Sequence, residues 1–493
     1  MGRTASLSAL GLTAKGAMEA TVTSLEVDSR KVQPGALFAA LPGVKVHGGS
    51  FIATALEKGA VAVLTDADGA SLAADALAGS EAALVVVESP RQALSYAAAL
   101  FYGAQPETMV GVTGTNGKTS VATFTRQIWE AMGLAAINLG TTGVEGAWTA
   151  PLAHTTPEPV TLHRVLAEAA EAGITHGAME ASSHGLAQYR LDGVRLAAAG
   201  FTNFSQDHLD YHESFAAYFA AKAALFSRVL SEGAPAVINL DDGRGSDMAT
   251  LAREAGHPVL GVGRRPAADL RIEALRFNAT GQELRFQWEG QSHQVHLPLI
   301  GGFQAENALV AAGLAIASGS EAEDVFDALE ALRTVRGRMQ LAAQRGNGGA
   351  VFVDYAHTPD AVATALQALR PHVMGRIVCI VGAGGDRDRG KRPLMGTAAA
   401  DYADQVIVTD DNPRSEDPAL IRAAVMEGAP EAVEIGDRAE AILRGVDALG
   451  PGDALLIAGK GHETGQIVGD TVLPFDDAEQ ASVAVAALEE ARA

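Results

Sequence analysis

The chain has 493 residues, 48% of them hydrophobic and 19% charged, with a formal net charge of −22. That length predicts roughly two to four domains, and the acidic balance argues against a nucleic-acid partner, so any anionic ligand must be held by local loops and a few cations. The single cysteine, Cys379, excludes a disulfide framework, and no apolar run reaches membrane-spanning length.

The N-terminus lacks a charged-then-apolar signal pattern. Met1-Gly2-Arg3-Thr4-Ala5-Ser6 matches a short myristoylation pattern, but nothing else in the chain points to a membrane. A reducing, cytoplasmic setting is expected.

Residues 1–104 read as a small α/β domain, with strands at 22–28, 36–41, 60–65 and 82–87 and Pro34-Gly35 as a turn. Asp28-Ser29-Arg30 sits at a strand end, and the loop P-G-V-K-V-H-G-G at 42–49 suits either a nucleotide or sugar contact or a plain solvated turn.

Residues 105–334 read as a central domain of alternating strands and helices, which favours a mostly parallel sheet. It opens on M-V-G-V-T-G-T-N-G-K-T-S at 109–120. Apolar β-formers run into a turn with Gly111, Gly114 and Gly117, and a helix is predicted over 121–132. The glycines let backbone N–H groups converge on a phosphate, Lys118 supplies charge, and Thr119 offers a hydroxyl to Mg²⁺. The simplest P-loop pattern wants glycine where Val112 stands, so the motif is a variant.

Farther on, Glu180 lies in a strand-like run, facing either solvent or a cation. A strand over 197–202 leads into N-F-S-Q-D-H-L-D-Y-H at 203–212, dense in oxygen and imidazole ligands. A helix is predicted over 214–230, where Phe215, Phe219 and Phe226 define an apolar face. Lys222 falls on that face. Either it snorkels outward, or it is a partly buried ammonium that must be paired or chemically modified. After Gly301-Gly302, a further helix carries Gln304 and Asn307, amides suited to a base.

Residues 335–493, beyond the hinge-like L-R-T-V-R-G-R at 332–338, read as a doubly wound, Rossmann-like domain. Strands are predicted at 351–353, 377–381, 405–408 and 454–458. Each runs into a polar loop: D-Y-A-H-T-P-D, G-A-G-G-D-R-D-R-G-K, D-D-N-P-R and G-K-G-H-E. Four such loops on one sheet edge predict a ligand site.

In this order the motifs resemble the Mur ligases, and among them the MurE type, over nearly the whole chain. D-S-R with its Pro-Gly turn, T-G-T-N-G-K-T, H-T-T-P-E, E-A-S-S-H-G-L, D-H-L-D-Y-H, Lys222, D-Y-A-H-T-P-D, G-G-D-R-D-R-G-K-R-P, D-N-P-R and G-K-G-H-E all contribute. The resemblance implies an ATP-dependent amide ligase of peptidoglycan precursor synthesis, and hence of cell-wall biogenesis, cell shape and division. It implies a monomer working on small-molecule substrates.

It also assigns residues. Val27, Ser29, Val44, Lys45 and Val46 would hold the UDP end, and His154, Thr155, Thr156, Ser182, Gln188 and Arg190 the muramoyl-dipeptide. ATP would sit on Gly114, Thr115, Asn116, Gly117, Lys118, Thr119 and Ser120, with Asn307, Arg338, Asp354 and His357 reaching the nucleotide. Mg²⁺ would lie near Thr119, Glu180 and His208, with Lys222 as a carbamylated lysine (N6-carboxylysine) among its ligands. Lys118, Lys222, Glu180 and His208 would thus carry the catalysis.

Arg387, Asp411, Asn412, Pro413, Arg414, Gly459 and Glu463 would bind meso-diaminopimelate. Its far carboxylate suits a bidentate grip by Arg414, and lysine has no such group. Two departures from the family pattern stand out: His47-Gly48-Gly49 replaces an expected Asp-Gly-His, and His154 replaces an asparagine.

The implied chemistry joins a D-glutamyl γ-carboxylate to an amine through an acyl phosphate. Two other readings compete. A MurF-type ligase or folylpolyglutamate synthase is disfavoured by D-N-P-R beside G-G-D-R-D-R-G. A regulatory P-loop NTPase leaves Lys222 and the third-domain loops without a purpose.

Overall fold

The computed structural model describes residues 3–43, 46–205 and 211–490. Val44, Lys45 and His208, expected at the UDP and metal sites, lie outside the described residues. The chain divides into two compact units, Met1–Leu270 with Val310–Val325, and Arg271–Leu309 with Phe326–Ala493.

The first unit begins with a four-stranded, all-parallel sheet of Ser24–Glu26, Ala36–Ala39, Ala62–Thr65 and Ala83–Val86, in chain order. The strand expected over 22–28 is broken in two. Thr21–Val22 pairs antiparallel with Ala5–Ser6, and the Thr23 amide between the pieces donates to Gly35 O at 2.8 Å. Helix Pro90–Tyr102, started by its proline, buries Leu94, Ala97 and Ala98 in this domain's core.

Seven strands follow in the spatial order Val259–Gly263, Ala236–Asn239, Ala198–Phe201, Thr108–Thr113, His176–Glu180, Ala136–Gly140 and Gly143–Gly146. All neighbours are parallel except the last pair. Thr108–Thr113 is flanked by Ala198–Phe201 and His176–Glu180, so the loops leaving all three meet at one edge.

The helix expected over 214–230 is Phe215–Ala224, capped by Ser214, and it passes into a π-helical turn over Leu225–Val229. Phe219 and Phe226 are buried, but Phe215 is 42% exposed and rests on the Phe204 ring, so the apolar face is narrower than expected. Lys222 does not snorkel: it is 1% exposed.

His163, on helix Pro159–Glu171, is buried beside the Asp192 carbonyl, 3.3 Å from Nε2. Burial pushes its pKa down from 6.5 to about 4. A histidine depressed in the folded state favours folding above pH 6.5, and that contribution is lost as pH falls toward 4. Urea unfolding at pH 7 and pH 5 should show the wild type losing about 2 kcal/mol more than a His163→Gln variant. Parallel pH profiles would overturn this.

In the second unit, Leu270–Asn278, Gly281–Trp288 and Gln291–Leu297 form two successive antiparallel hairpins. A six-stranded sheet follows in the order Gln340–Gln344, Ala350–Asp354, Ala454–Ala458, Ile377–Val381, Gln405–Val408 and Val433–Glu434, the first pair antiparallel and the rest parallel. Apolar side chains pack on both faces, as a sheet covered by helices requires. Cys379 lies fully buried in this sheet, its thiol pushed up to about 12 by burial, and is unreactive.

Candidate active site

The strand Thr108–Thr113 turns at Gly114, whose φ of +149° and lack of a side chain are both required: a Cβ there would stand 1.9 Å from Thr202 Oγ1. The loop then runs to Gly117, with φ +83°, and opens helix Lys118–Ala131. It is braced from the neighbouring strand end. Thr115 N donates to Asn203 O (2.9 Å), Asn116 N to Asn203 Oδ1 (2.8 Å), and Thr202 Oγ1 to Asn116 O (2.6 Å). Asn203, read from sequence as part of a ligand-rich loop, is instead a clamp on the glycine turn. Lys118 Nζ lies over the loop, 2.9 Å from Gly114 O and 2.8 Å from Thr115 O.

Glu180 ends the adjacent strand and is 2% exposed, so the solvent-facing alternative fails. Its Oε1 accepts from Thr119 Oγ1 at 3.0 Å and from Thr141 N at 2.8 Å. Gly140 leaves the space: a Cβ there would meet Glu180 Oε1 at 1.9 Å. Lys222 arrives from the helix side, its Nζ 2.6 Å from Gly114 O and 4.5 Å from the centre of the Tyr218 ring. Lys118, Thr119, Glu180 and Lys222 therefore converge on one loop.

Thr156 joins this centre to a second one. Its Oγ1 donates to Glu180 O (2.8 Å) and accepts from Ser182 N (3.1 Å), and Thr155 Oγ1 lies 3.0 Å from Thr141 Oγ1. Arg190 Nη1 donates to Thr156 O at 2.6 Å, and its Nη2 to Gln188 Oε1 at 2.9 Å. Gln188 and Arg190 line a cavity of about 210 Å³ with Val27, Leu41, Arg91, Glu158 and Pro159.

Burial lowers the pKa of both Arg91 and Arg190, and the Arg91 charge lowers Arg190 further. Glu158 spends its carboxylate on the Val160 and Thr161 amides, capping helix Pro159–Glu171. Arg91, whose Nη2 donates to Pro42 O at 2.5 Å, and Arg190 thus bring two half-buried guanidiniums to the lining of this cavity. Ser29 is buried, with Asp28 beside it held at about 2 by hydrogen bonds from Arg30. Val46 and His154 are exposed.

In the second unit, Arg338, Asp354 and His357 gather around Tyr355. The Arg338 guanidinium lies 4.8 Å from the ring centre and the His357 ring 4.5 Å away. Asp354 Oδ2 accepts from Met339 N at 2.7 Å, and burial raises its carboxyl pKa against the pull of Arg338. Asn307, on helix Phe303–Ala317, is buried with its Nδ2 donating to Gln304 Oε1.

The four polar loops of this unit leave the carboxyl ends of parallel strands, as expected. Asp411 is pressed against Gly459, where a Cβ would stand 2.5 Å from Oδ2, and Asn412 Nδ2 donates to Glu463 Oε2 at 2.8 Å. The Pro413 carbonyl fills the space over Gly385. Arg414 holds a left-handed φ of 52°, pinned by its amide to Ile467 O (3.0 Å) and by Gly469 N to its carbonyl (2.8 Å). Its Nη1 donates to Gly385 O, which leaves the Nε–Nη2 edge of the guanidinium for a carboxylate. Arg387 is exposed on the facing loop, after Asp386, which is also left-handed at φ 53°.

Three family models match this chain: the Mur ligase family catalytic domain over residues 21–102, the Mur ligase middle domain over 112–315, and the Mur ligase glutamate ligase domain over 337–461. The chain is 51% identical over 469 residues to the UDP-N-acetylmuramoyl-L-alanyl-D-glutamate–2,6-diaminopimelate ligase of Bradyrhizobium diazoefficiens, covering 94% of this chain and 95% of the relative. It belongs to the Mur ligase family.

The relative of the same name from Agrobacterium fabrum is also 51% identical, over 475 residues and 96% and 95% of the two chains. Among solved Mur ligases, a UDP-N-acetylmuramoyl-L-alanyl-D-glutamate–2,6-diaminopimelate ligase superposes with a TM-score of 0.73 at 34% identity, over 95% of each chain. The MurF ligase of Thermotoga maritima, solved with ADP, shares the fold at a TM-score of 0.61 and 17% identity, over 95% of this chain and 98% of its own.

For this Mur ligase, sequence reasoning missed Arg91 and the loop clamps Thr202 and Asn203. Arg91 sits at the start of a helix in an Ser-Pro-Arg run that carries no ligand signature. The only available signal was an arginine placed in a helix's first turn, where the macrodipole disfavours a cation.

Proposed function

We propose that this chain is an ATP-dependent ligase that joins meso-2,6-diaminopimelate to the D-glutamyl γ-carboxylate of UDP-MurNAc-L-Ala-D-Glu in peptidoglycan precursor synthesis. The reading places it in the cytoplasm as a monomer; among the described residues no helix is long and apolar enough to cross a membrane. The observation that carries the reading is the Arg414 guanidinium edge beside the Asn412–Glu463 pair, in a chain 51% identical to ligases of that name. A guanidinium edge offered beside a carboxylate matches the zwitterionic far end of diaminopimelate and not the bare ammonium of lysine.

The γ-carboxylate attacks the γ-phosphorus of ATP, giving an acyl phosphate and ADP; the amine then attacks the acyl carbon, loses a proton and expels phosphate. Lys118 and the loop amides of Gly114–Ser120 receive the phosphates and offset the repulsion of two reacting anions. Arg91 and Arg190 hold the anionic groups of the muramoyl-dipeptide, with Val27, Ser29, Val46, His154, Thr155, Thr156, Ser182 and Gln188 around it. Asn307, Arg338, Asp354 and His357 serve the nucleotide; Arg387, Asp411, Pro413 and Gly459 complete the amine pocket.

The residues fit Mg²⁺. The Thr119 hydroxyl and the buried Glu180 carboxylate lie side by side at the loop, Oγ1 donating to Oε1 at 3.0 Å, and as hard oxygen donors they would hold such an ion. Such an ion would neutralise phosphate charge, with His208 and a carbamylated Lys222 as further ligands. Reaction of the Lys222 amine with CO₂ gives a carbamate and a proton, and the remaining N–H can keep its bond to Gly114 O.

Phosphate release from ATP with UDP-MurNAc-L-Ala-D-Glu and diaminopimelate, L-lysine or no amine tests the reading. Release with diaminopimelate and matching tripeptide is expected. Equal release with lysine would overturn the specificity, and release independent of dipeptide and amine would overturn the ligase. Arg91→Met should raise KM for the UDP-dipeptide by about tenfold, as loss of one charged hydrogen bond predicts, and leave KM for ATP unchanged. An unchanged UDP-dipeptide KM would remove Arg91 from the site.

A further inference from the structure

Lys460 is a fully buried cation to which the proposed reaction gives no role. It follows Gly459, which turns the chain at φ +115° out of strand Ala454–Ala458, and its exposure is 0%. Burying an ammonium is costly unless each of its three donors finds an acceptor. Here all three do: Nζ donates to Asn412 Oδ1 at 3.2 Å, Glu463 Oε2 at 3.1 Å and Gly465 O at 2.5 Å.

The Asn412 amide is fixed by the same arrangement. Its Oδ1 also accepts from Ile467 N at 2.9 Å, and its Nδ2 donates to Glu463 Oε2 at 2.8 Å. With two donors on Oδ1 the amide cannot flip. Both donors that reach the Glu463 carboxylate land on Oε2, so Oε1 stays available on a side chain that is 34% exposed.

We propose that Lys460 is the positioning residue of the amine pocket, and that its charge sets the pocket's selectivity. This rests on the functional reading above. Lys460 holds Glu463 so that one oxygen meets the ligand's far ammonium, and it cancels most of the negative charge that Glu463 presents. A ligand bringing only an ammonium therefore gains little. A ligand that also brings a carboxylate to Arg414 gains both contacts. Without Lys460 the pocket is one unit more negative, and Glu463 is free to swing.

The test measures KM and kcat for diaminopimelate and L-lysine in wild type, Lys460→Met, Glu463→Gln and the double variant. Thermal unfolding is followed on each. Lys460→Met should raise KM for diaminopimelate about 10- to 100-fold, the usual cost of losing a group that orients a ligand-binding one, and shrink the preference over lysine. KM for ATP and for the UDP-dipeptide should not move.

Because Lys460 acts through Glu463, the double variant should be no worse than Glu463→Gln by more than about twofold. Fully additive losses, or losses shared by all three substrates, would make Lys460 a structural residue and overturn the proposal. Should Lys460→Met not fold, Lys460→Gln keeps a donor and drops the charge. Loss of preference there supports the proposal, and wild-type preference overturns it. Wild-type turnover with lysine and not diaminopimelate would defeat the functional reading alone, since the same cycle run on lysine still scores Lys460.

Discussion

Lys118→Met is expected to lower dipeptide-dependent ATP turnover by about 10³-fold while leaving the fold intact. Removing one preorganised donor from a site of developing charge costs about 10²–10³ in kcat. The upper end applies here because Lys118 is the one cation within the glycine turn and its first helical residues, 114–120. Its ammonium already lies within 3 Å of two loop carbonyls, Gly114 O and Thr115 O, so it is organised before any phosphate arrives. Methionine matches the stem in length, and the clamp from Thr202 and Asn203 does not involve the lysine. Phosphate release, with circular dichroism as the control on folding, decides the matter. A loss under tenfold in a folded variant would remove Lys118 from the phosphate site.

The second large effect is on stability. Arg438 and Asp477 form a bidentate pair, Nε–Oδ1 and Nη2–Oδ2 both 2.7 Å, with neither side chain exposed. Asp477→Asn leaves a guanidinium buried without its countercharge, which costs about 3–5 kcal/mol. Urea unfolding should register that loss, and a change under about 1 kcal/mol would show that water or rearrangement satisfies Arg438. The pair also bears on the amine loops. Nη2 donates to Ala458 O (3.0 Å) and Nη1 to Asp410 O (3.3 Å), the residues just before Gly459 and Asp411. An Arg438→Met, Asp477→Leu double variant should recover only part of the stability, because those two carbonyls lose their donor.

The four central strands of the second unit's sheet were legible almost to the residue, while its edge strands Gln340–Gln344 and Val433–Glu434 passed unread. The central strands are short, mostly apolar and bounded by polar loops, so Ile377–Val381, Gln405–Val408 and Ala454–Ala458 fall at the expected positions. The glycine turn between strand Thr108–Thr113 and helix Lys118–Ala131 was equally plain. The hairpins over Leu270–Trp288 and Gly281–Leu297 passed unread. The second had a signal in Glu289-Gly290, both at positive φ as a tight two-residue turn requires, and the alternation around it is blurred by arginines and glutamines on the open face.

The break at Leu225–Val229 could not be foreseen from a repeat of 3.6, because a π turn inserts a residue without changing the composition around it. Site residues fared similarly. Those grouped by a motif, such as Asp411–Arg414, could be singled out as candidates from the sequence. Arg91 was not, because it meets Arg190 only through the tertiary fold.

The emptiness at Gly140 binds two distant positions into one inheritable unit. Any side chain there must displace the carboxylate of Glu180, and any shortening of Glu180 opens a void beside Gly140. Neither position can drift alone: a random library spanning both should return functional clones in which a larger residue at 140 occurs only with a shorter one at 180, if it occurs at all. The Glu180 carboxylate is in this sense guarded by an atom that the chain does without.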